Sequence, residues 1–262
     1  MNAPVSLFLG HGAPSLALSA HPAAGFLRGL GTQLERPRAV IVVSPHRMGR
    51  GFDVGCSPRF EAWHDFSGFQ PALYELQYSP PGAPELAAQA QRLIAEAGLP
   101  GTGSPDPRID HGVWVPLRLI WPDASVPVIP VATTRRDARA HLALGRALRP
   151  LADAGCLIVG SGSITHNLGD LDRSDEFAAP VQWAQAFDAW IAHHVATADF
   201  DALCDYRQRA PHAAQAHPTD EHLLPLFVAL GAGGAGRLLY QGFGFGSLSL
   251  ASYAFDRQPD LR

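Results

Sequence analysis

Short runs of β-branched and apolar residues recur along the chain, each ending in a small or helix-breaking residue. They are Val5-Ser6-Leu7-Phe8-Leu9 before Gly10, Ala39-Val40-Ile41-Val42-Val43 before Ser44-Pro45, and Cys156-Leu157-Ile158-Val159 before Gly160. A run that is apolar at nearly every position, instead of alternating, belongs to a strand buried on both faces, as in parallel sheets. Strands are therefore expected near 5–10, 39–44, 126–132 and 156–161, with a later one near 245–254. Helical patterns fall near 83–97, 112–121, 136–154, 180–196 and 219–231. Pro84 suits a first helical turn, Gly98 a helix end, and Thr219 followed by Asp220 and Glu221 an acidic N-terminus. This alternation predicts an α/β fold: one domain spanning 1–262, with a mostly parallel central sheet flanked by helices on both faces. Residues 47–82 show little periodicity but carry Phe52, Phe60, Trp63, Phe66, Phe69, Tyr74 and Tyr78, a composition that points to an ordered loop over the sheet edge.

Composition narrows the functional classes. Of 262 residues, 47% are hydrophobic and only 17% charged, so the chain has the material for a large core. Formal charge is −4 and no basic patch stands out, which argues against nucleic acid as a partner. No apolar stretch approaches the roughly 20 residues of a membrane span, and a strand begins too early to leave room for a signal peptide. Three scattered cysteines, Cys56, Cys156 and Cys204, fit free and mostly buried thiols in a cytoplasmic protein better than a disulfide framework. Without paired cysteines, any metal must be held by nitrogen and oxygen.

Each strand-ending segment delivers a histidine. His11 lies in Gly10-His11-Gly12-Ala13-Pro14-Ser15, His46 in Ser44-Pro45-His46-Arg47, and His166 in Gly160-Ser161-Gly162-Ser163-Ile164-Thr165-His166. Open α/β sheets bind ligands beyond the carboxyl ends of their strands, so imidazoles remote in sequence should meet on one sheet edge. Any one of these motifs is also an ordinary turn; two on neighbouring strands favour a metal site. His217-Pro218-Thr219-Asp220-Glu221-His222 offers Glu221 or His222 to complete it. Two histidines and a carboxylate suit non-haem Fe(II), whereas three histidines suit catalytic zinc, and ligand chemistry alone leaves both open. Asp110-His111 opens a helix either as a plain cap with a first-turn histidine or as a donor beside a bound anion. The Gly/Ser run at 160–163 lacks a P-loop lysine, dinucleotide spacing and a Gly-x-Ser-x-Gly elbow; its small residues let the backbone approach a ligand, and its hydroxyls can orient an imidazole. His193 and His194 read as solvent-facing beside a core stripe of Trp183, Phe187 and Trp190. His21, His141 and His212 lack a strand-end setting, and His64 sits among aromatics that line a pocket or simply pack.

Together these segments, with His64-Asp65-Phe66-Ser67-Gly68-Phe69, Asp110-His111-Gly112-Val113-Trp114 and Gly244-Phe245-Gly246-Ser247-Leu248-Ser249, closely resemble the class III extradiol ring-cleaving dioxygenases. The similarity is to the branch containing the 4,5-DOPA dioxygenases, related to the catalytic subunit of protocatechuate 4,5-dioxygenase, and it spans nearly the whole chain. It implies metal ligands His11, His46 and His222, with His166 as acid/base and near enough to act as a ligand in metal-substituted forms. It also implies contact of His111 with substrate hydroxyls. Glu221 remains an alternative to His222, because protocatechuate-type members close their triad with a glutamate. The implied cofactor is Fe(II), with Zn(II) a frequent occupant of such sites. The implied partners are a DOPA-like catechol and O₂, giving a muconic-semialdehyde-type product. The rival readings are a zinc hydrolase on the same scaffold and a non-catalytic relative. Arg47 and the loop near 60–80 are candidates for substrate contact.

Overall fold

The computed structural model describes residues 4–256. In chain order the strands are β1 (Ser6–Gly10), β2 (Val40–Met48), β3 (Val54–Gly55), β4 (Glu61–Ala62), β5 (Gly103–Ser104), β6 (Arg108–Ile109), β7 (Val128–Thr133), β8 (Leu157–Gly162), β9 (Gly236–Tyr240), β10 (Phe243–Gly244), β11 (Leu248–Ser249) and β12 (Ser252–Phe255). The α-helices are α1 (Pro22–Gln33), α2 (Pro71–Tyr74), α3 (Pro84–Glu96), α4 (His111–Ile120), α5 (Ala138–Asp153), α6 (Gln182–Ala196), α7 (Phe200–Cys204), α8 (Tyr206–Arg209), α9 (Ala213–Ala216) and α10 (Leu224–Gly233).

Eight strands form one sheet in the order β5-β3-β7-β2-β8-β1-β12-β9. Its centre, β7-β2-β8-β1, is parallel throughout. On the far side of β1, β12 and β9 run antiparallel. Alternate side chains of the central strands enter different cores, as the pleat demands. Leu7, Leu9, Val40, Val42, Val128, Leu157 and Val159 pack with Leu27, Trp114 and Leu117 from α1 and α4. Ile41, Val43, Ile129, Val131 and Ile158 meet α3, α5 and α10 through Ala87, Leu144 and Val228. Phe8, Tyr253 and Phe255 join α6 and α10 through Phe187, Ile191 and Phe227. Both faces are thus covered, and the histidine-bearing ends of β1, β2 and β8 lie side by side. Among the described residues no helix is long and apolar enough to cross a membrane.

Several expectations shift. Pro45 does not end β2, which continues to Met48. The strand expected at 245–254 divides into β11 and β12, and the edge strand β9 was not foreseen. The helix expected from 219 begins at Leu224, where Pro225 occupies the first turn; the preceding residues form turns. Asp220 instead accepts from the Tyr206 hydroxyl (2.9 Å) and pairs with Arg207. Gly98, by contrast, follows α3 with φ of +70°, as a helix-ending glycine should. Only Cys156 of the three free thiols is buried; Cys56 and Cys204 are half-buried.

Candidate active site

His11 follows β1 directly, and its backbone N–H donates to the Gly162 carbonyl of β8 (3.1 Å). His46 hangs from an irregularity in β2. From Ser44, opposite Ala132, to Met48, opposite Thr133, β2 takes four steps while β7 takes one, so residues 45–47 leave the ladder. His222 closes in from the turn before α10. The ligand atoms of His11, His46 and His222 lie within 4.8 Å of one another, and the Nε2 atoms of His11 and His46 are 3.2 Å apart.

The protons on these rings are placed by their neighbours. Glu221 accepts from Nδ1 of His222 (3.1 Å), which leaves Nε2 of His222 buried without a hydrogen-bond partner. Ser161, between β1 and β2 on β8, donates its one hydroxyl proton to the Gly112 carbonyl (2.5 Å). It can then only accept from His11 Nδ1 (3.0 Å), so Nε2 of His11 also carries a bare lone pair. Burial, reinforced by the mutual repulsion of the cluster, holds His11 and His222 far below the ordinary histidine value, and pushes His46 down to about 3. Neutral imidazoles with converging ring nitrogens, that of His222 without any partner, are what a divalent cation needs. The donor set fits a metal, and Glu221 sits behind His222 as its hydrogen-bond acceptor while forming a second candidate group with His166 and His222.

Two further histidines border this centre. His111 stands 3.9 Å from His46, ring centre to ring centre. Both its backbone N–H (2.9 Å) and its Nδ1 (3.0 Å) donate to Asp65, a carboxylate to which no sequence pattern assigns a role. Burial is the largest single influence on Asp65 and works against its ionisation, but the hydrogen bonds and attraction from His111, with a further pull from His46, together outweigh it and hold the carboxyl below its usual range. The Asp110 carboxylate does not cap α4; it accepts from Ser44 (2.5 Å), fixing the helix start to β2. His166 stacks on His222 at 3.4 Å with 6° between planes. Burial lowers it to about 4, so it is neutral near pH 7.

Other expectations are redirected. Arg47 turns away, donating to Ser104 Oγ (2.6 Å) and the Arg108 carbonyl (3.0 Å). Phe66 of the 60–80 loop does reach the centre, its ring 5.7 Å from that of His111. His64 packs against Phe66, Tyr74 and Trp114, outside the metal-ligand groups. The glycines of the third motif admit protein backbone: a Cβ on Gly160 would lie 2.1 Å from the Pro225 carbonyl oxygen, and one on Gly162 2.2 Å from that of His222. His21 caps α1, and His141 is buried in the core. His193 is exposed, and His194 pairs with Asp199 at 3.2 Å.

Residues 24–256 match the family model described as the catalytic LigB subunit of aromatic ring-opening dioxygenase. The chain belongs to that family. It is 36% identical over 258 residues to a protein of Beta vulgaris named 4,5-DOPA dioxygenase extradiol, covering 95% of this chain and 96% of that one. A protein of the same name from Escherichia coli K12 is 33% identical, covering 94% and 93%. A crystal structure of an uncharacterized Escherichia coli K12 protein superposes with a TM-score of 0.77 at 28% identity, covering 95% of this chain and 98% of that chain. The LigB-family chain is thus an extradiol-type, ring-opening dioxygenase whose histidine cluster offers a possible metal site.

Proposed function

We propose that this dioxygenase holds Fe(II) through Nε2 of His11, His46 and His222, and opens the ring of a DOPA-like catechol with O₂ to a muconic-semialdehyde-type product. The observation carrying the reading is the convergence of three neutral imidazoles, two with their Nδ1 protons engaged by Ser161 and Glu221. Bound Fe(II) supplies the Lewis acidity and redox chemistry that join an ortho-diphenol to O₂; zinc fits the same donors but lacks the redox step.

The remaining groups handle substrate and protons. His166, neutral near pH 7, accepts a proton from a diol hydroxyl at a ring nitrogen and returns it as the ring opens. His111 keeps its Nδ1 proton on Asp65, which leaves Nε2 to meet the second oxygen. Phe66, its ring edge-on to that of His111, lends an apolar wall to that side. Anaerobic loading with Fe(II), followed by oxygen uptake and absorbance of a ring-opened product across a catechol panel, tests the reading. Oxygen uptake with stoichiometric product supports it. Bound iron with no uptake for any catechol refutes it, and hydrolysis in air-free zinc buffer would install the hydrolase alternative.

A further inference from the structure

Helix α4 contains a proline, Pro116, six residues into its ten, buried and without a backbone N–H. Proline in a helix interior costs about 3 kcal/mol relative to alanine, so its presence calls for a reason. The carbonyl it leaves without an i+4 donor is that of Gly112. That same carbonyl receives the Ser161 hydroxyl (2.5 Å), and the same Ser161 oxygen faces His11 Nδ1 (3.0 Å). Ser161 is fully buried, with no water-facing alternative for its single proton.

We infer that Pro116 is a positioning residue: by withholding a donor from the Gly112 carbonyl it commits the Ser161 proton there, and so holds His11 in the Nδ1–H tautomer with Nε2 free. A helix N–H at position 116 would engage the Gly112 carbonyl in the ordinary helical bond and weaken its claim on the Ser161 proton. The Ser161 hydroxyl would then be released to donate to His11 Nδ1, driving the proton to Nε2, where it points into the cluster and blocks a cation. The relay runs from a helix on one face of the sheet, through the middle strand β8, to the histidine at the end of β1. The consequence for metal binding rests on the proposed role of His11; the tautomer itself does not.

The test uses full-length metal-free protein labelled with ¹⁵N-histidine. Nitrogen chemical shifts report the His11 tautomer directly, and chelator competition reports Zn(II) affinity. Wild type is expected as the Nδ1–H form. Pro116→Ala should populate the Nε2–H form and weaken zinc binding about tenfold, the lower end of what loss of an outer partner costs, without lowering Tm. Pro116→Val restores the same N–H with a bulkier side chain and must behave alike, which covers failure of the alanine variant to fold. Ser161→Ala should weaken zinc binding about 10- to 100-fold, and adding Pro116→Ala to it should weaken binding no further, because both act along one path. A wild-type tautomer and zinc affinity within twofold in both position-116 variants, or additive losses in the double variant, overturns the inference. If zinc leaves the His11 shifts of wild type untouched, the metal assignment fails while the tautomer measurement still decides the role of Pro116.

Discussion

Gly162→Ala is the sharpest probe of how the centre is built. Gly162 needs no left-handed backbone, so the substitution tests space alone. The new Cβ would lie 2.2 Å from the His222 carbonyl oxygen and 3.0 Å from Phe8 Cε2. Restoring ordinary contact near 3.4 Å demands a displacement of about 1.2 Å. Phe8 is fully buried between β1 and the α6–α10 core and cannot yield, so the His222 peptide must move. That peptide accepts from the Ser163 N–H (2.9 Å), a bond worth about 1 kcal/mol, and overpacking adds about 1–3 kcal/mol. The expected loss of stability is therefore about 2–4 kcal/mol. A shift of about 1 Å at a catalytic group costs on the order of 10²-fold in rate, and His222 carries the ring that His166 stacks upon. Denaturant unfolding of metal-free protein, zinc competition and oxygen uptake together give the answer. Gly29→Ala serves as the control: Gly29 lies in α1 with nothing within 4 Å of an added Cβ, and alanine there should stabilise by about 0.5–1 kcal/mol. If Gly162→Ala stays within 0.5 kcal/mol of wild type (roughly the scatter of surface substitutions) with undiminished metal affinity, the crowding argument is wrong.

Three further outcomes follow from the same contacts. His222→Ala should abolish tight zinc binding measured by chelator competition, whereas Glu221→Ala should weaken it about 10- to 100-fold while keeping one ion per chain; equal losses would make Glu221 a ligand. His141 is buried and its value falls to about 4, below the ordinary 6.5 of the unfolded chain, so the unfolded state binds more protons between those values. Its contribution is complete above pH 6.5 and lost toward pH 4, about 2 kcal/mol by pH 5; urea unfolding at pH 7 and 5 should show a smaller difference for His141→Leu than for wild type, and an unchanged difference refutes this. His217, fully buried, donates from Nε2 to the Ile164 carbonyl (2.7 Å) two residues before His166. Its replacement by leucine strands that carbonyl at a cost of about 1–3 kcal/mol and should lower kcat more than KM, while His217→Gln, which keeps the donor, retains kcat; equal kcat losses in both would show that packing alone matters.

The strands that carry the site were readable because their burial on both faces leaves an unbroken apolar run, and His11, His46 and His166 stand where such runs end. Elements without that signature were not. Edge strand β9 reads Gly236-Arg237-Leu238-Leu239-Tyr240, with Arg237 and Leu238 exposed, so it shows neither a continuous run nor a clean alternation. Helix α1 holds Gly25, Gly29 and Gly31, which lower its intrinsic propensity; packing against α4 overrides that deficit, and a Cβ on Gly31 would strike the Ile120 carbonyl at 2.0 Å. The acidic stretch at 219–221 looked like a helix start because the pattern of a cap is local, yet Asp220 is claimed by Tyr206 and Arg207 and Glu221 by His222.

The same reasoning separates two kinds of site residue. A strand-end histidine is placed by topology, since parallel strands in one sheet bring their carboxyl ends to one edge whatever loops intervene. Asp65, Ser161 and the Ser44–Asp110 pair act by fixing protons and helix starts across 46, 150 and 66 residues of chain, through contacts that no period in the sequence records. Ser161 makes the difference concrete: within Gly160-Ser161-Gly162-Ser163 it looks no different from Ser163. What separates them is the end of the strand: Ser161, within β8 and paired with Leu9, points with Leu157 and Val159 toward the α4 face and its oxygen serves a ring, whereas Ser163 lies just past Gly162 and shares its one proton between the carbonyls of Thr165 and Ser249. Exchanging the two serines for alanine one at a time should therefore split the readouts, Ser161→Ala acting on metal affinity and Ser163→Ala on stability.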